Sequence, residues 1–521
     1  MSFNLKSRTT NVINAFVLTA VSNIINVVLG LVYRSFFLRV LTAEYLGING
    51  LFTNILAVMS IAELGITNSI MFRMYKPIKE NDIKQIAQII AFLKKAYRLI
   101  MISIFCFGIV LLPFLKLLIS DASEIPADVN LYVVYLIFMF QTLSSYFFNY
   151  KQIILSADQR QYFLSVCTLL TNIARYAAQF GILWFTRNYV LTLLIGICVT
   201  VFSNFLISYY ASRSYKEVMN YKGRISSELK KNVLNDVKAT ALHRIGGKIV
   251  TSTDSIIISK YVSLTAVGFY SNYSFIIVNL ENIIAQALGA FVASIGNANV
   301  TLTKKDNYKI FKKLQYACLS VSLTTTVCLF VLTEPFIQLW VGSEMLLSKG
   351  VLIFLCLDYY FTISRQICLS FTNATGLFVK DKLRPVIQSV INLVVSIILV
   401  NRMGLVGVFI GTVISHLVTV FWREPRILFK DYFEISSKEY WQTYIFFVVL
   451  TIGDCCLVSY IVRNIVISVL GWILAGFIAV LISVITIILF TFNNEEFKFY
   501  FNCLIRIIVT AHSNWKNRLS K

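Results

Sequence analysis

The stretch LTAEYLGI at residues 41–48 recurs in outline as VSLTAVGF at residues 262–269, which is an offset of 221 residues. At nearly the same offset, PFLKL at residues 113–117 matches PFIQL at residues 335–339. Matches that keep their order over such a distance are hard to explain by chance. They indicate that the chain contains two copies of one structural unit.

Apolar runs surround both copies and recur along the whole chain. The 521 residues are 57% hydrophobic and 14% charged, whereas a soluble domain has roughly a quarter of its residues charged. Runs of about 20 apolar residues can cross a hydrocarbon core. The pattern predicts an all-α polytopic membrane protein with about 14 transmembrane helices. These spans are predicted near residues 12–33, 46–70, 99–119, 130–150, 162–185, 189–211, 239–260, 266–297, 315–333, 350–374, 383–401, 404–422, 441–462 and 465–491.

Lys and Arg residues are concentrated in alternate connections between these spans. Of the 47 basic residues, one set of connections holds 35 and the other holds 8. An excess of Lys and Arg marks cytoplasmic loops, so both chain termini are predicted to be cytoplasmic. The net charge of +22 is explained by these clusters, which face membrane lipids. Nucleic-acid binding is therefore not expected.

The duplication predicts how the spans are grouped. Each repeat holds six spans, so both begin on the same side of the membrane and are related by an axis along the membrane normal, with a central cavity between two lobes. The predicted divisions are a six-helix lobe at residues 1–211, a basic cytoplasmic linker at 212–238, a second six-helix lobe at 239–430, and two extra helices with a cytoplasmic tail at 431–521.

Four basic residues fall inside predicted spans, where charges usually face a bundle interior or a wet cavity. Arg244 and Lys248 are four residues apart and therefore share a helix face, which suits an anionic ligand. They could instead snorkel to lipid headgroups. Arg175 and Arg365 are also candidate substrate ligands, but a structural ion pair, such as Arg365 with Asp358, is an equal alternative.

Uncharged and acidic polar residues also occur at membrane depth. Asn23 and Asn26 lie on a polar stripe of the first span and are candidate substrate ligands, although such residues often bond only to neighbouring helices. Acidic residues inside spans could bind H⁺ or Na⁺ in a coupled cycle, or could act as counter-ions. The four ion-coupling candidates are Glu63, Asp254, Glu281 and Asp358.

No catalytic or metal-binding motif is recognisable in the sequence. The three histidines are scattered, and the ten cysteines form no CxxC pair. Neither enzyme activity nor a metal or other cofactor is therefore expected. A membrane glycosyltransferase or ligase is a remaining alternative, but the long outer loop with paired carboxylates that such an enzyme usually needs is missing.

The pattern LGLVYR at residues 29–34, followed by LTAEYLG at 41–47 and LGI at 64–66, resembles the Wzx-type oligosaccharide flippases of the multidrug, oligosaccharidyl-lipid and polysaccharide exporter superfamily. The resemblance covers essentially the whole chain, because the 14 predicted spans, the six-plus-six duplication and the two additional helices follow the same architecture. Lipid II flippases and multidrug exporters share that architecture, so the first-loop pattern is the most specific part.

The resemblance implies a flippase that moves undecaprenyl-diphosphate-linked oligosaccharide across the bacterial cytoplasmic (inner) membrane by alternating access. The product would serve capsule or O-antigen assembly, with a polysaccharide polymerase and glycosyltransferases as partners. In this hypothesis Arg244 and Lys248 bind the diphosphate, and an ion gradient acts at Asp254 or Glu281. The alternatives are a cation-coupled multidrug exporter and a lipid II flippase.

Overall fold

The computed structural model describes residues 5–60, 63–221, 249–250, 252–301, 303–377, 380–466 and 468–519. Within these ranges the chain is almost entirely helical and contains no strand, which confirms the predicted all-α class. The helices are α1 (Leu5–Val40), α2 (Ala43–Met59), α3 (Glu63–Glu80), α4 (Ile83–Leu111), α5 (Leu131–Asn149), α6 (Gln152–Ala157), α7 (Gln161–Thr186), α8 (Tyr189–Ser214), α9 (Lys216–Asn220), α10 (252–261), α11 (Leu264–Thr301), α12 (Lys304–Val341), α13 (Lys349–Ser364), α14 (Gln366–Ala374), α15 (Arg384–Met403), α16 (Leu405–Ser415), α17 (Trp422–Leu428), α18 (Lys438–Val462), α19 (Val469–Thr491) and α20 (Glu495–Leu519).

Ten helical segments in the described part of the chain are long and apolar enough to cross a membrane. They coincide with ten of the 14 predicted spans, and the chain is a multi-pass membrane protein. The predicted spans at 46–70, 162–185 and 266–297 coincide with helices that do not meet the same criteria of length and apolarity. The predicted span at 239–260 is described only in part. The total of 14 stays a prediction.

The chain divides by compactness into two units, which are described separately. Unit 1 comprises Met1–Ser274 and Lys382–Ser415, and unit 2 comprises Phe275–Asp381 and His416–Lys521. Helix α11 contributes residues to both units. The lobe boundaries predicted from the repeat stay a prediction, and most of the predicted linker lies outside the described residues.

The core of unit 1 is built around α2. Leu51 and Phe52 of this helix are fully buried, together with Tyr135 of α5, Tyr189 of α8 and Leu264 of α11. In a membrane such packing is favoured by close van der Waals contact, because lipid tails are as apolar as the side chains themselves. Aromatic side chains in this cluster pack helices of the first repeat closely against the start of α11.

The two copies of the repeated stretch contact each other inside unit 1. Gly47 of α2 faces the backbone carbonyl of Leu264, and Gly268 of α11 faces the backbone carbonyl of Ala43. A Cβ atom on either glycine would overlap with the carbonyl oxygen opposite, so only glycine permits this helix approach. The second contact repeats the first with the roles of the two copies exchanged, so a local twofold axis relates the two segments.

Hydrogen bonds surround this crossing of α2 and α11. The hydroxyl of Thr265 donates to Oε1 of Glu44 at 2.9 Å, and these residues occupy equivalent positions of the two repeats. The amide of Ser120 donates to the carbonyl of Ser259 at 2.9 Å, and the Ser259 hydroxyl donates to the carbonyl of Leu118 at 2.8 Å. The connection after α4 is therefore tied to the end of α10.

Unit 2 is centred on the long helix α12, which packs against α13, α18 and α19. An aromatic cluster of Phe311, Phe371, Phe429, Phe433 and Tyr440 fills one end of this packing. Two π-helical segments flank α17, and such segments are frequent at functional sites. The first of them begins at His416, a residue that belongs to the site described below.

Candidate functional site

Two of the predicted diphosphate ligands, Arg244 and Lys248, lie outside the described residues. Their role in binding the diphosphate stays a prediction from the sequence. The remaining candidates from the sequence all lie within the described residues and fall into separate groups within unit 1 and unit 2.

Arg175 and Asn26 are brought together where α7 packs on α1. The guanidinium of Arg175 donates to Oδ1 of Asn172 at 3.1 Å, and the amide of Asn172 donates to Oδ1 of Asn26 at 3.1 Å. The Arg175 guanidinium also lies 4.6 Å from the ring centre of Tyr176. This arrangement orients a half-buried cation through neutral groups, so most of its charge is left for an anionic ligand.

The polar stripe of the first span continues toward the N-terminal end of α1. The hydroxyl groups of Thr19 and Ser165 lie 3.1 Å apart in a hydrogen bond between α1 and α7, while Asn23 is exposed. The stripe therefore holds α1 against α7 at Thr19 and Asn26 and presents Asn23 at the surface of unit 1. Binding of substrate by Asn23 and Asn26 stays a prediction.

Glu63 at the start of α3 accepts hydrogen bonds from two tyrosines of unit 1. The hydroxyl of Tyr146 donates to Oε2 at 2.7 Å, and the hydroxyl of Tyr97 donates to Oε1 at 3.1 Å. The hydroxyl of Thr67 lies 2.8 Å from that of Tyr97 and donates to it, because the Tyr97 proton is already engaged with the carboxylate. The network thus directs hydrogen-bond donors at a carboxylate from α4 and α5.

A cavity of about 350 Å³ opens beside this carboxylate. Gln141, Ser145 and Asn149 contribute to its wall and follow one another every fourth residue along α5. Oδ1 of Asn149 is buried and has no hydrogen-bond partner among the described residues. None of the described residues that line the cavity is basic. The cavity therefore offers hydrogen-bond donors and acceptors with one carboxylate, and its volume is within the range of small-molecule sites.

Tyr146→Phe should destabilise the protein by about 2 kcal/mol, because it removes the shorter hydrogen bond to a half-buried carboxylate. Tyr135→Phe is the matched control, since the Tyr135 hydroxyl donates to a neutral carbonyl, that of Gly108, at the longer distance of 3.3 Å. Thermal unfolding in detergent measures both. A smaller shift for Tyr146→Phe than for Tyr135→Phe would contradict the assignment of the network.

Asp254 is the second acidic candidate in unit 1. It lies on α10, and its side chain is 5% exposed. The neighbouring residue Ser255 accepts a hydrogen bond of 3.0 Å from the side chain of Asn54 on α2. Asp254 is therefore buried next to a residue that bonds to α2, and its role in ion coupling stays a prediction.

Glu281 and Asp358, the two acidic candidates of unit 2, lie close enough for their charges to interact. Nδ1 of His416 is 2.9 Å from Oδ1 of Asp358, an ion-pair distance, although neither atom has an aligned hydrogen bond within the described residues. The three side chains come from α11, α13 and the first π-helical segment. Together they form a group of three titratable side chains. The sequence did not predict this group, because its histidines are scattered along the chain.

Arg365 forms a two-point ion pair with Glu424 of α17. Its Nε and Nη2 atoms lie 3.1 and 2.8 Å from the two carboxylate oxygens, and Glu424 is 2% exposed. The sequence suggested Asp358 as the structural partner of Arg365, but Asp358 pairs with His416. The reason is that Arg365 follows the last residue of α13, where the chain turns before α14. Substrate binding by Arg365 stays a prediction.

Sequence reasoning missed the tyrosines that bind Glu63 and the polar face of α5. Tyr97 and Tyr146 are more than 30 residues from Glu63, and no local pattern connects them. The α5 face could have been found, because Gln141, Ser145 and Asn149 repeat at helical spacing inside a predicted span. The polar stripe that predicts an inner face in the first span therefore has a counterpart in the fourth.

Comparison with models of known protein families finds no match, and no curated protein sequence matches either. Comparison with solved structures finds chains of similar fold, among them a lipid II flippase and a multidrug resistance MATE family transporter. The chain is similar to the lipid II flippase MurJ in an inward closed conformation, with a TM-score of 0.66 and 15% identity over 92% of this chain and 99% of that chain.

The chain is also similar to a multidrug resistance MATE family transporter of the MOP superfamily. The TM-score is 0.59 for the inward-facing form, with 14% identity over 79% of this chain and 98% of that chain. For an outward-facing form it is 0.52, with 15% identity over 79% and 95%. These structures are transporters and flippases and not enzymes. At such low identity the likeness establishes the fold, and the substrate has to be argued from the chain itself.

Proposed function

We propose that this protein is a Wzx-type flippase that moves undecaprenyl-diphosphate-linked oligosaccharide across the bacterial cytoplasmic membrane for capsule or O-antigen assembly. The fold supports transport, and the cavity beside Glu63 is the observation that supports a sugar-bearing substrate. Its wall combines amide, hydroxyl and carboxylate groups with the rings of Phe138 and Tyr146. Sugars need this combination, because their hydroxyl groups donate and accept hydrogen bonds while their C–H faces pack on aromatic rings.

The diphosphate of the carrier lipid requires cations instead. Arg175 is the described candidate, because its guanidinium is oriented by Asn172 and forms no ion pair with a carboxylate of the described residues. Arg244 and Lys248 are the candidates from the sequence. In this proposal the sugar portion and the diphosphate are bound by different groups, and the isoprenoid tail stays in lipid.

Coupling to an ion gradient is assigned to unit 2 in this proposal. Glu281, Asp358 and His416 form a titratable group whose charge changes when one proton or Na⁺ is bound. Glu63 and Asp254 remain the candidates in unit 1. A polysaccharide polymerase and glycosyltransferases are the partners that this function requires.

A multidrug exporter is the second candidate, and the same cavity supplies its argument. A carboxylate in a cavity whose described lining holds no basic residue also suits an organic cation. The two functions differ in what they require of Glu63. A sugar needs hydrogen bonds, which glutamine can provide, whereas a cationic drug needs the negative charge.

Glu63→Gln should therefore retain most glycan export, because the glutamine side chain still forms hydrogen bonds with sugar hydroxyl groups. Gln141→Ala combined with Asn149→Ala should reduce export about thirtyfold, because two hydrogen bonds of about 1 kcal/mol each are lost. Surface glycan in a deletion strain carrying each variant is the measurement. Asn401→Ala is the matched control, since among the described residues its exposed amide bonds only to Ile397 of its own helix.

If the protein is a drug exporter, the same strains should give the opposite result. This function requires unchanged surface glycan in the deletion strain, together with drug sensitivity that Glu63→Gln fails to correct. Unchanged glycan in the deletion strain would remove the flippase proposal, whatever the drug sensitivity shows.

A further inference from the structure

A second cavity of unit 1, of about 280 Å³, lies between α4, α8 and the junction of α5 with α6. Three basic residues line it: Lys94 and Arg98 of α4, and Lys151 of the junction. From the sequence, these residues belong to the basic set that is predicted to lie in cytoplasmic connections. The structure brings them together in one concave site.

The three cations are held close to one another by the local packing. Lys94 and Arg98 are four residues apart and share a face of α4. The ammonium groups of Lys94 and Lys151 lie 5.9 and 5.8 Å from the ring centre of the same residue, Tyr150. Lys151 also donates to the hydroxyl of Ser212 at 2.8 Å, which leaves two of its three ammonium protons for another acceptor.

No acidic residue occurs among the described residues that line this cavity. Burial lowers the pKa of Lys151, and the positive charge of Lys94 lowers it further. Like charges gathered without an anion repel one another, and a bound anion reverses that cost. The site is therefore complementary to a ligand that carries negative charge.

The edge of the cavity shows what kind of anion fits. Phe147, Phe205 and Tyr209 line the cavity and are 61%, 49% and 56% exposed. Exposed aromatic rings beside basic residues on helices of this length are typical of the membrane interface, where the rings contact lipid and the cations contact headgroups. A soluble anion would not use this apolar border, whereas the chain of a lipid would lie along it.

We propose that this cavity binds the phosphate group of an anionic lipid at the membrane surface that the charge pattern predicts to be cytoplasmic. Basic pockets between transmembrane helices on this side are suited to phosphate headgroups. Two lipids carry the required chemistry: a glycerophospholipid such as phosphatidylglycerol, and a prenyl diphosphate. The cavity beside Glu63 shares only Tyr146 with this one among the described lining residues, so phospholipid binding here is independent of the transported substrate, whereas prenyl diphosphate binding rests on the proposed function.

The alternative hypothesis, in which the basic side chains only snorkel to the membrane surface, predicts a different result. Lysines that only reach for water and headgroups give no selective binding and depend little on their exact neighbours. A built site requires Lys94, Arg98 and Lys151 together and prefers phosphate-bearing anionic lipid over zwitterionic lipid. Lys95 is the matched control, because it is adjacent, exposed and does not line the cavity.

The test uses the full-length protein in detergent with fluorescent phosphatidylglycerol, fluorescent phosphatidylcholine and farnesyl diphosphate as a competitor. Phosphatidylglycerol should bind at least tenfold more tightly than phosphatidylcholine. The triple variant K94Q/R98Q/K151Q should weaken that binding about a hundredfold, since each cation near an anionic headgroup contributes about one factor of five to ten. Lys95→Gln should leave it within twofold.

Competition decides the source of the phosphate. Displacement by farnesyl diphosphate at a tenth of the competing phosphatidylglycerol concentration would identify the prenyl diphosphate, and the reverse ranking would identify the phospholipid. Equal binding of the triple variant and the wild type, an equal loss in Lys95→Gln, or equal affinity for phosphatidylcholine would overturn the site. Should the triple variant unfold, Arg98→Gln alone has to show a loss of about fivefold that Arg98→Lys restores.

Discussion

Gly47→Ala should destabilise the protein by about 3 kcal/mol or more and reduce the yield of folded protein. The new methyl group would overlap with the carbonyl oxygen of Leu264, and that oxygen belongs to a backbone that cannot move without shifting the start of α11. Inserting a methyl group into a close-packed contact typically costs about 1–3 kcal/mol, with larger values where the backbone has to shift. The thermal unfolding midpoint in detergent is the measurement.

Gly181→Ala provides the control, because a Cβ at this position on α7 meets no atom within 4 Å. Alanine favours a helix by about 1 kcal/mol over glycine, so this variant should be as stable as the wild type or more stable. Gly268→Ala should behave like Gly47→Ala, since it meets the carbonyl of Ala43 in the equivalent way. Equal midpoints for Gly47→Ala and Gly181→Ala would show that the crossing of α2 and α11 is looser than described.

Arg365→Ala should destabilise the protein by about 3–5 kcal/mol. The substitution leaves the carboxylate of Glu424, which is 2% exposed, without its two-point partner. Removing one member of a buried ion pair costs this much because the remaining charge stays buried. The free energy of unfolding in denaturant, compared between Arg365→Ala and the wild type, gives the value.

The double variant R365M/E424L tests the same argument from the opposite direction. Replacing both partners by apolar residues also removes the buried carboxylate charge, so the double variant should be more stable than Arg365→Ala. Lys309→Ala is the exposed control, because its pair with Asp306 at 3.3 Å lies at the surface and should contribute nothing measurable. A double variant no more stable than the single one would mean that Glu424 is stabilised by other contacts.

The helical architecture could be predicted from the sequence because apolar runs of sufficient length have few other structures available to them. The repeat stays a prediction from the sequence, and the structure places its glycines, Gly47 and Gly268, where two backbones approach each other. Helical spacing also placed Asn26 on an inner face of α1, where it accepts a hydrogen bond from Asn172.

The partners of buried charges could not be predicted in the same way. Spacing along one helix shows which residues share a face, but the partner is chosen by whichever helix packs there. Arg365 follows α13 and binds Glu424 of α17, while Glu63 is bound by tyrosines of α4 and α5. These contacts join residues between 34 and 83 positions apart, and no local pattern of the sequence encodes them.

The reciprocal fit of Gly47 on Leu264 and of Gly268 on Ala43 has a consequence for the origin of the chain. In a symmetric homodimer, a surface position meets its counterpart on the other copy in this self-complementary way. A half-length ancestor with a single such segment would pair with itself through the same two glycines. Gene fusion would then have made permanent an association that two separate chains had already formed.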